Sequence, residues 1–200
     1  MVLFTLGTVI GGGIIIGDTI VQGEHSHGGE IGHQKIEFTS PRQCGCGRWG
    51  CLEAYASATA VVKRALEALN QPGARSSLAG KNAKEGGLTA RDVFEAAAAG
   101  DLLASNLVED TAYYLAVGAV NMMHTIDPDM VVFAGGMTAA GEEFLHRIRR
   151  HIHELAFPVP AQRTTVSYAQ LGSDAGFIGA AACGRQLHYQ RCRQLRTAVE

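Results

Sequence analysis

Apolar residues along this chain fall into two kinds of stretch, short solid runs and longer segments with helical spacing, and the switches between them coincide with glycine, proline or capping residues. Val2–Leu6 is a solid run that stops at Gly7, the pattern of a buried strand. Gly11-Gly12-Gly13 leads into Ile14-Ile15-Ile16, a second strand, and Gly17-Asp18 turns the chain into Thr19-Ile20-Val21 as a hairpin. Residues 23–50 carry Gly, His and Cys with little periodic apolar content. They read as one long irregular segment with a short strand at Lys35–Phe38, and a loop of that length inside a compact domain calls for a functional or metal-binding reason.

Leu52, Tyr55, Ala56, Thr59, Val62, Leu66 and Leu69 recur at helical spacing and predict a helix over 52–69. Residues 71–87 are rich in Gly, Ser and Lys and predict a loop. Thr89 with Asp92 forms a capping-box pattern that opens a helix to about Ala99. Asp101 or Ser105 then starts a longer helix that ends near Thr125, ahead of Pro128. Met130–Ala134 is a strand, Gly135-Gly136 turns out of it, and Ala140–Leu155 is a helix. Pro158 and Pro160 mark a loop, Thr164–Ala169 a strand, and Ser173 or Asp174 caps a last helix towards Tyr189. The order predicts an α/β domain with a mixed sheet and flanking helices.

The chain has 200 residues, 46% of them hydrophobic and 18% charged, with a formal net charge of −2. That fits one domain over residues 1–200 with enough apolar content for a core. The near-neutral balance gives no electrostatic footprint for nucleic acid or a membrane surface. No apolar run reaches bilayer-spanning length, and Met1–Thr8 is too short and too glycine-bound for a signal peptide. A cytoplasmic, reducing setting is expected. Five cysteines, at positions 44, 46, 51, 183 and 192, make an odd count. With three of them close together, this argues against a disulfide framework.

The strongest chemical signal is Cys44-Gly45-Cys46, with Cys51 close behind and His33 upstream. Three thiolates and one imidazole supply the tetrahedral donor set that zinc prefers, and a site with all four positions filled by protein is structural rather than catalytic. Glycines 45, 47 and 50 let the chain turn tightly enough to aim the sulfurs at one ion. The alternative, free and incidental cysteines, is disfavoured by the short spacing.

Glu30-Ile31-Gly32-His33, followed by Cys44-Gly45-Cys46-Gly47-Arg48-Trp49-Gly50-Cys51-Leu52-Glu53, resembles the signature of the ROK family of repressors, open reading frames and sugar kinases. Leu6 to Gly13 is similar to that family's phosphate loop, Ala134-Gly135-Gly136 to its second glycine turn, and Leu171 to Gly176 with Gly179-Ala180-Ala181 to its final helix entry. The resemblance implies the actin-like, ribonuclease-H-like ATPase fold, with residues 1–200 forming a single carboxy-terminal lobe and the amino-terminal lobe lying outside this chain. It implies ATP-dependent phosphorylation of a hexose, glucose first, with MgATP as co-substrate, structural zinc and a homo-oligomeric state.

By motif match, Glu30, His33 and Glu53 contact sugar hydroxyls, since a carboxylate accepts two hydroxyl hydrogen bonds in fixed directions. His33 has two jobs, one ring nitrogen on zinc and the other towards the sugar. Thr8, Gly11, Gly12 and Gly13 sit against nucleotide phosphates, where glycine-turn N–H groups make an anion-binding nest. Gly135 and Gly136 lie against the adenosine. The bland readings are a helix-start carboxylate for Glu53, a hairpin connection for the glycines and a strand-to-helix turn for Gly135-Gly136.

Two departures from the family pattern stand out. Val9 occupies a usual glycine position, and a β-branched residue suits positive φ poorly. The general base that orients the attacking sugar hydroxyl belongs to a motif this chain lacks, so no catalytic residue is assigned. Asp18, Asp127, Asp129 and Asp174 read as turn or cap residues. His25 and His27 read as solvated loop residues, Cys183 as a buried small hydrophobe, and Arg191, Arg193 and Arg196 as a solvated face. Tyr113, Tyr114, Met122 and Met123 read as core or subunit contacts. Two other functions compete with the kinase: a non-catalytic sugar-sensing regulator, and a zinc-stabilised interaction module.

Overall fold

A computed structural model describes residues 1–82 and 87–197, with side chains at 82, 173 and beyond 189 left aside. Residues 83–86 of the predicted 71–87 loop and the side chains of Arg191, Arg193 and Arg196 lie outside the described residues. Two units are distinguished, residues 1–168 and 169–200.

The first unit is built on a five-stranded sheet of order β3-β2-β1-β4-β5. Its strands are β1 (Val2–Leu6), β2 (Ile10–Ile16), β3 (Thr19–Ile20), β4 (Met130–Ala134) and β5 (Thr165–Tyr168). β1 pairs antiparallel with β2 and parallel with β4, and β4 pairs parallel with β5. β4 is buried on both faces, with Val131, Val132 and Phe133 all inside, whereas β1 buries Val2, Phe4 and Leu6 on one face and leaves Thr5 exposed on the other. The Phe4 and Phe133 rings lie 5.3 Å apart.

β2 begins earlier than the glycine pattern predicts. Phe4 pairs with Gly12 and Thr5 with Gly11, so the glycines are strand residues and the hairpin turn is Gly7-Thr8-Val9. The glycine serves a close packing of the following loop on β2: a Cβ on Gly12 would collide with Ile31 and with the Gly29 carbonyl. The predicted strand at Lys35–Phe38 reduces to one isolated bridge, Lys35 to Cys51.

The predicted helix over 52–69 is two helices, α1 (Glu53–Ala56) and α2 (Ala58–Leu69). Ser57 is extended at ψ 160 and its hydroxyl accepts the Ala60 N–H, an N-cap that restarts the helix. A short α3 (Ala79–Asn82) precedes α4 (Ala90–Ala98), whose capping box of Thr89 and Asp92 is complete. Asp101, not Ser105, caps α5 (Leu102–Ile126), and Asp127 ends it in the left-handed region. After β4 a 3₁₀ turn over 136–140 delays α6 to Glu142–Leu155. The Pro158–Pro160 region is a helix, α7 (Pro158–Arg163), because a proline at the first helical position loses no hydrogen bond.

α5 packs against α4 and α6. Its residues are buried along nearly its whole length, Met122 and Met123 among them, whereas Tyr113 is 41% exposed. Tyr113 lies edge-on to His151, and Tyr114 packs against the core. Buried Arg64 of α2 donates to the Tyr55 carbonyl and the Thr111 hydroxyl at 3.1 Å, pairs with Asp110 at 2.7 Å and stacks over Tyr114, so every polar atom that burial strips of water is matched. In the second unit, α8 (Ala175–Thr197) follows a 3₁₀ turn over 172–174 and runs past Tyr189. Cys183 on it is exposed; the small, alanine-rich stretch around it resembles a core helix in sequence without being buried. Among the described residues no helix is long and apolar enough to cross a membrane.

Candidate metal centre and ligand clefts

The segment over 23–52 has few apolar side chains, so its path is set by glycine contacts and backbone hydrogen bonds. A Cβ on Gly32 would strike the Ile10 carbonyl, which lets the 3₁₀ turn Ile31–His33 lie directly on β2. The Ile36 N–H donates to the Gly50 carbonyl and the Leu52 N–H to the Gln34 carbonyl, both at 2.9 Å. A tight turn at 44–48 closes by Cys44 N–H to the Arg48 carbonyl at 2.8 Å, with Gly47 at φ +80. Arg42 fastens the loop to the helices. Its guanidinium makes a bidentate pair with Glu67 at 3.0 and 2.6 Å, and its backbone N–H donates to the Tyr55 hydroxyl at 2.7 Å. Such forked charge-assisted pairs are the strong, directional kind.

This path brings His33, Cys44, Cys46 and Cys51 together, with one ligand atom of each inside a 4.8 Å cluster. Cys46 and Cys51 sulfurs are 3.8 Å apart, and Cys44 Sγ lies 3.7 Å from His33 Nδ1. Metal–sulfur bonds of about 2.3 Å and metal–nitrogen bonds of about 2.0 Å place tetrahedral ligand atoms about 3.6–3.8 Å apart, so the spacing fits a four-coordinate ion. Cys44 and Cys51 are buried and Cys46 is exposed. Burial, with the Glu53 carboxylate close by, pushes the metal-free Cys44 thiol up to about 12, whereas the Arg48 N–H holds Cys46 below its ordinary value. A divalent cation supplies the positive charge that a buried thiolate lacks.

The acidic residues stand at the edge of this cluster. His33 turns Nδ1 to Cys44 and Nε2 to Glu30, whose Oε2 is 3.8 Å away. Glu53 has one carboxylate oxygen 3.2 Å from Cys44 Sγ, and the other accepts the Ile10 N–H at 3.1 Å. Glu53 also lines a pocket of about 270 Å³ with Thr8, Cys44 and Lys63, while Glu30 and His33 lie outside that lining.

A larger cleft of about 580 Å³ is lined by Gly7, Thr8, Arg91, Phe94, Gly136 and Met137 among others. Thr8 and Gly136, 128 positions apart in sequence, therefore face one space, whereas Gly11, Gly12 and Gly13 are held inside β2. Gly135 is at φ +96, with the Leu6 backbone where a Cβ would sit. Val9 is absent from the positive-φ residues, which among the non-glycines described are Asp18, Ser26 and Asp127, so its β-branch does not strain the turn. Arg91 and Phe94 on α4 were not singled out by the sequence, since the helical period marks Phe94 only as core-facing. His25 and His27 are exposed, and His27 Nδ1 lies 2.6 Å from the His25 carbonyl.

Comparison with known proteins follows the same lines. A family model described as the ROK family matches residues 1–186. A glucokinase of Halalkalibacterium halodurans is 40% identical over 179 residues, 90% of this chain and 54% of the relative. A putative xylose repressor of a Caldicellulosiruptor species is 29% identical over 89% of this chain and 44% of its own length. A solved ROK family glucokinase from Streptomyces griseus, in complex with glucose and AMPPNP, superposes with a TM-score of 0.78 at 32% identity, covering 92% of this chain and 60% of that one. The chain thus spans about half the length of the relatives it matches, and its fold is the actin-like ATPase fold of the ROK sugar kinases.

Proposed function

The chain belongs to the ROK family, and on that premise we propose that it supplies the zinc-braced sugar- and nucleotide-binding lobe of an ATP-dependent hexose kinase of the glucokinase type. The observation that carries the reading is His33, whose two ring nitrogens face Cys44 on one side and Glu30 on the other. Zinc on Cys44, Cys46, Cys51 and His33 is a closed structural centre; when bound, it braces the 33–51 loop. With Nδ1 towards the metal, His33 would keep its proton on Nε2, which faces Glu30 and would be free to donate to a sugar hydroxyl. Glu30 and Glu53 accept further hydroxyl hydrogen bonds. Thr8, next to the Gly7 turn, offers a hydroxyl to the phosphates of MgATP at one end of the larger cleft, and Gly135-Gly136 lets adenosine lie against backbone at the other. Gly12 acts at one remove, by letting the Glu30–His33 segment seat on β2 beside Ile31, while Gly11 and Gly13 lie within the strand. Phosphoryl transfer needs positioning and charge stabilisation, and the residue that orients the attacking hydroxyl is not assigned within this chain.

Similarity to a xylose repressor favours a second reading, a sugar-sensing regulator that keeps the sugar site without phosphoryl transfer. Isothermal titration calorimetry reads the binding of each ligand directly. The kinase reading expects a saturable response to glucose and, separately, to AMPPNP in the zinc-loaded chain. Glucose response with no nucleotide response favours the regulator, and no response to either removes both.

A further inference from the structure

The metal centre carries an unbalanced charge. Three thiolates and a neutral imidazole around a divalent ion leave a net negative charge, and Glu53 and Glu30 stand close to Cys44 and His33. Among the described residues one cationic side chain is hydrogen-bonded to a cluster sulfur: Lys35, whose Nζ lies 2.9 Å from Cys51 Sγ. The contact is built into the backbone. Lys35 and Cys51 form an isolated antiparallel bridge, flanked by the Ile36–Gly50 and Gln34–Leu52 hydrogen bonds, so the lysine stem leaves the chain directly opposite the cysteine. Cys51 itself is fully buried, and its sulfur has little solvent to stabilise its charge.

We propose that Lys35 is a positioning residue of the metal centre, holding zinc by donating an N–H to the Cys51 thiolate and offsetting the excess negative charge of the site. The ammonium is a compact point charge with three donors, suited to a single sulfur. A hydrogen-bonded thiolate gives up less electron density to an electrophile, so the same contact protects the loaded Cys51 from alkylation. This rests on the zinc reading above and adds a residue outside the ligand set.

The test compares wild-type chain with Lys35→Met, which keeps the apolar stem, and Lys35→Arg, which keeps the charge. Zinc content is measured first, then zinc affinity by competition with a chromophoric chelator, then the rate of iodoacetamide labelling of the loaded protein. Lys35→Met is expected to weaken zinc binding by about 10–100-fold, the usual cost of losing a residue that supports a ligand, and to label faster, while Lys35→Arg stays near wild type. Circular dichroism of the zinc-loaded variant separates this from loss of fold. Wild-type chain that binds zinc, with Lys35→Met matching it in affinity and labelling, overturns the proposal. Wild-type chain without zinc overturns the metal reading itself. Equal weakening by Met and Arg substitutions shows packing rather than charge and also overturns the role of Lys35.

Discussion

Glu53 accepts the backbone N–H of Ile10 through one carboxylate oxygen at 3.1 Å. That bond ties the first turn after the metal loop to the residue that follows the Gly7-Thr8-Val9 hairpin turn. The other oxygen sits 3.2 Å from Cys44 Sγ, so one side chain links the cysteine cluster to the strand that leaves the hairpin turn. A hydrogen bond to a charged group is worth about 1.5–3 kcal/mol. Glu53→Ala is therefore expected to raise the hydrogen-exchange rate of the Ile10 amide by about tenfold or more and to weaken glucose binding, with zinc content unchanged. Unchanged exchange at Ile10 would remove the bridging role, and unchanged glucose affinity the sugar role.

Gly32 decides where Glu30 and His33 stand. A side chain there meets the Ile10 carbonyl, a backbone atom that cannot rotate away. Gly32→Ala is expected to destabilise the chain by about 1–3 kcal/mol through overpacking and to lower zinc affinity, because His33 is displaced with the turn. Urea unfolding and a chelator competition read the two effects; a variant as stable and as zinc-retentive as wild type contradicts the packing account.

Asp101 carries a pH dependence whose sign is fixed by its partners. Its carboxylate accepts the Ala104 N–H at 3.1 Å, the Ser77 N–H at 2.7 Å and the hydroxyls of Ser76 and Ser77 at 2.8 Å. Burial opposes its charge, but these bonds outweigh it and hold the group at about 2 against 3.8. Because the folded value is the lower one, the stabilisation is present in full above the unfolded value and is lost as pH falls from 3.8 towards about 2. Asp101→Ala is expected to cost about 1–2 kcal/mol at neutral pH as a lost N-cap and to lose less stability than wild type on acidification. Denaturant unfolding at neutral and acid pH measures both, and parallel curves for the two proteins would contradict the assignment.

What the sequence made legible was local. β1 and β4 followed from solid apolar runs, the Thr89–Asp92 box from its spacing, and the metal cluster from cysteines a few residues apart. What it hid depends on contacts that the spacing of apolar residues does not encode. Ser57 breaks a helix whose apolar period continues across it, and only its hydroxyl bond to Ala60 reveals the cap. Gly12 and Gly32 read as loop-forming residues, but their absence of a side chain serves contact with Ile31 and Ile10. Arg91 and Phe94 reach the cleft of Thr8 and Gly136 because α4 packs against the 136–140 turn.

The central claim is that one metal ion organises the loop that presents His33 and Glu53. Elemental analysis of the chain purified under reducing conditions tests it most directly. One zinc per chain, lost on Cys44→Ser with a concurrent loss of calorimetric glucose binding, is the expected result. A metal-free wild-type chain that still binds glucose would contradict it.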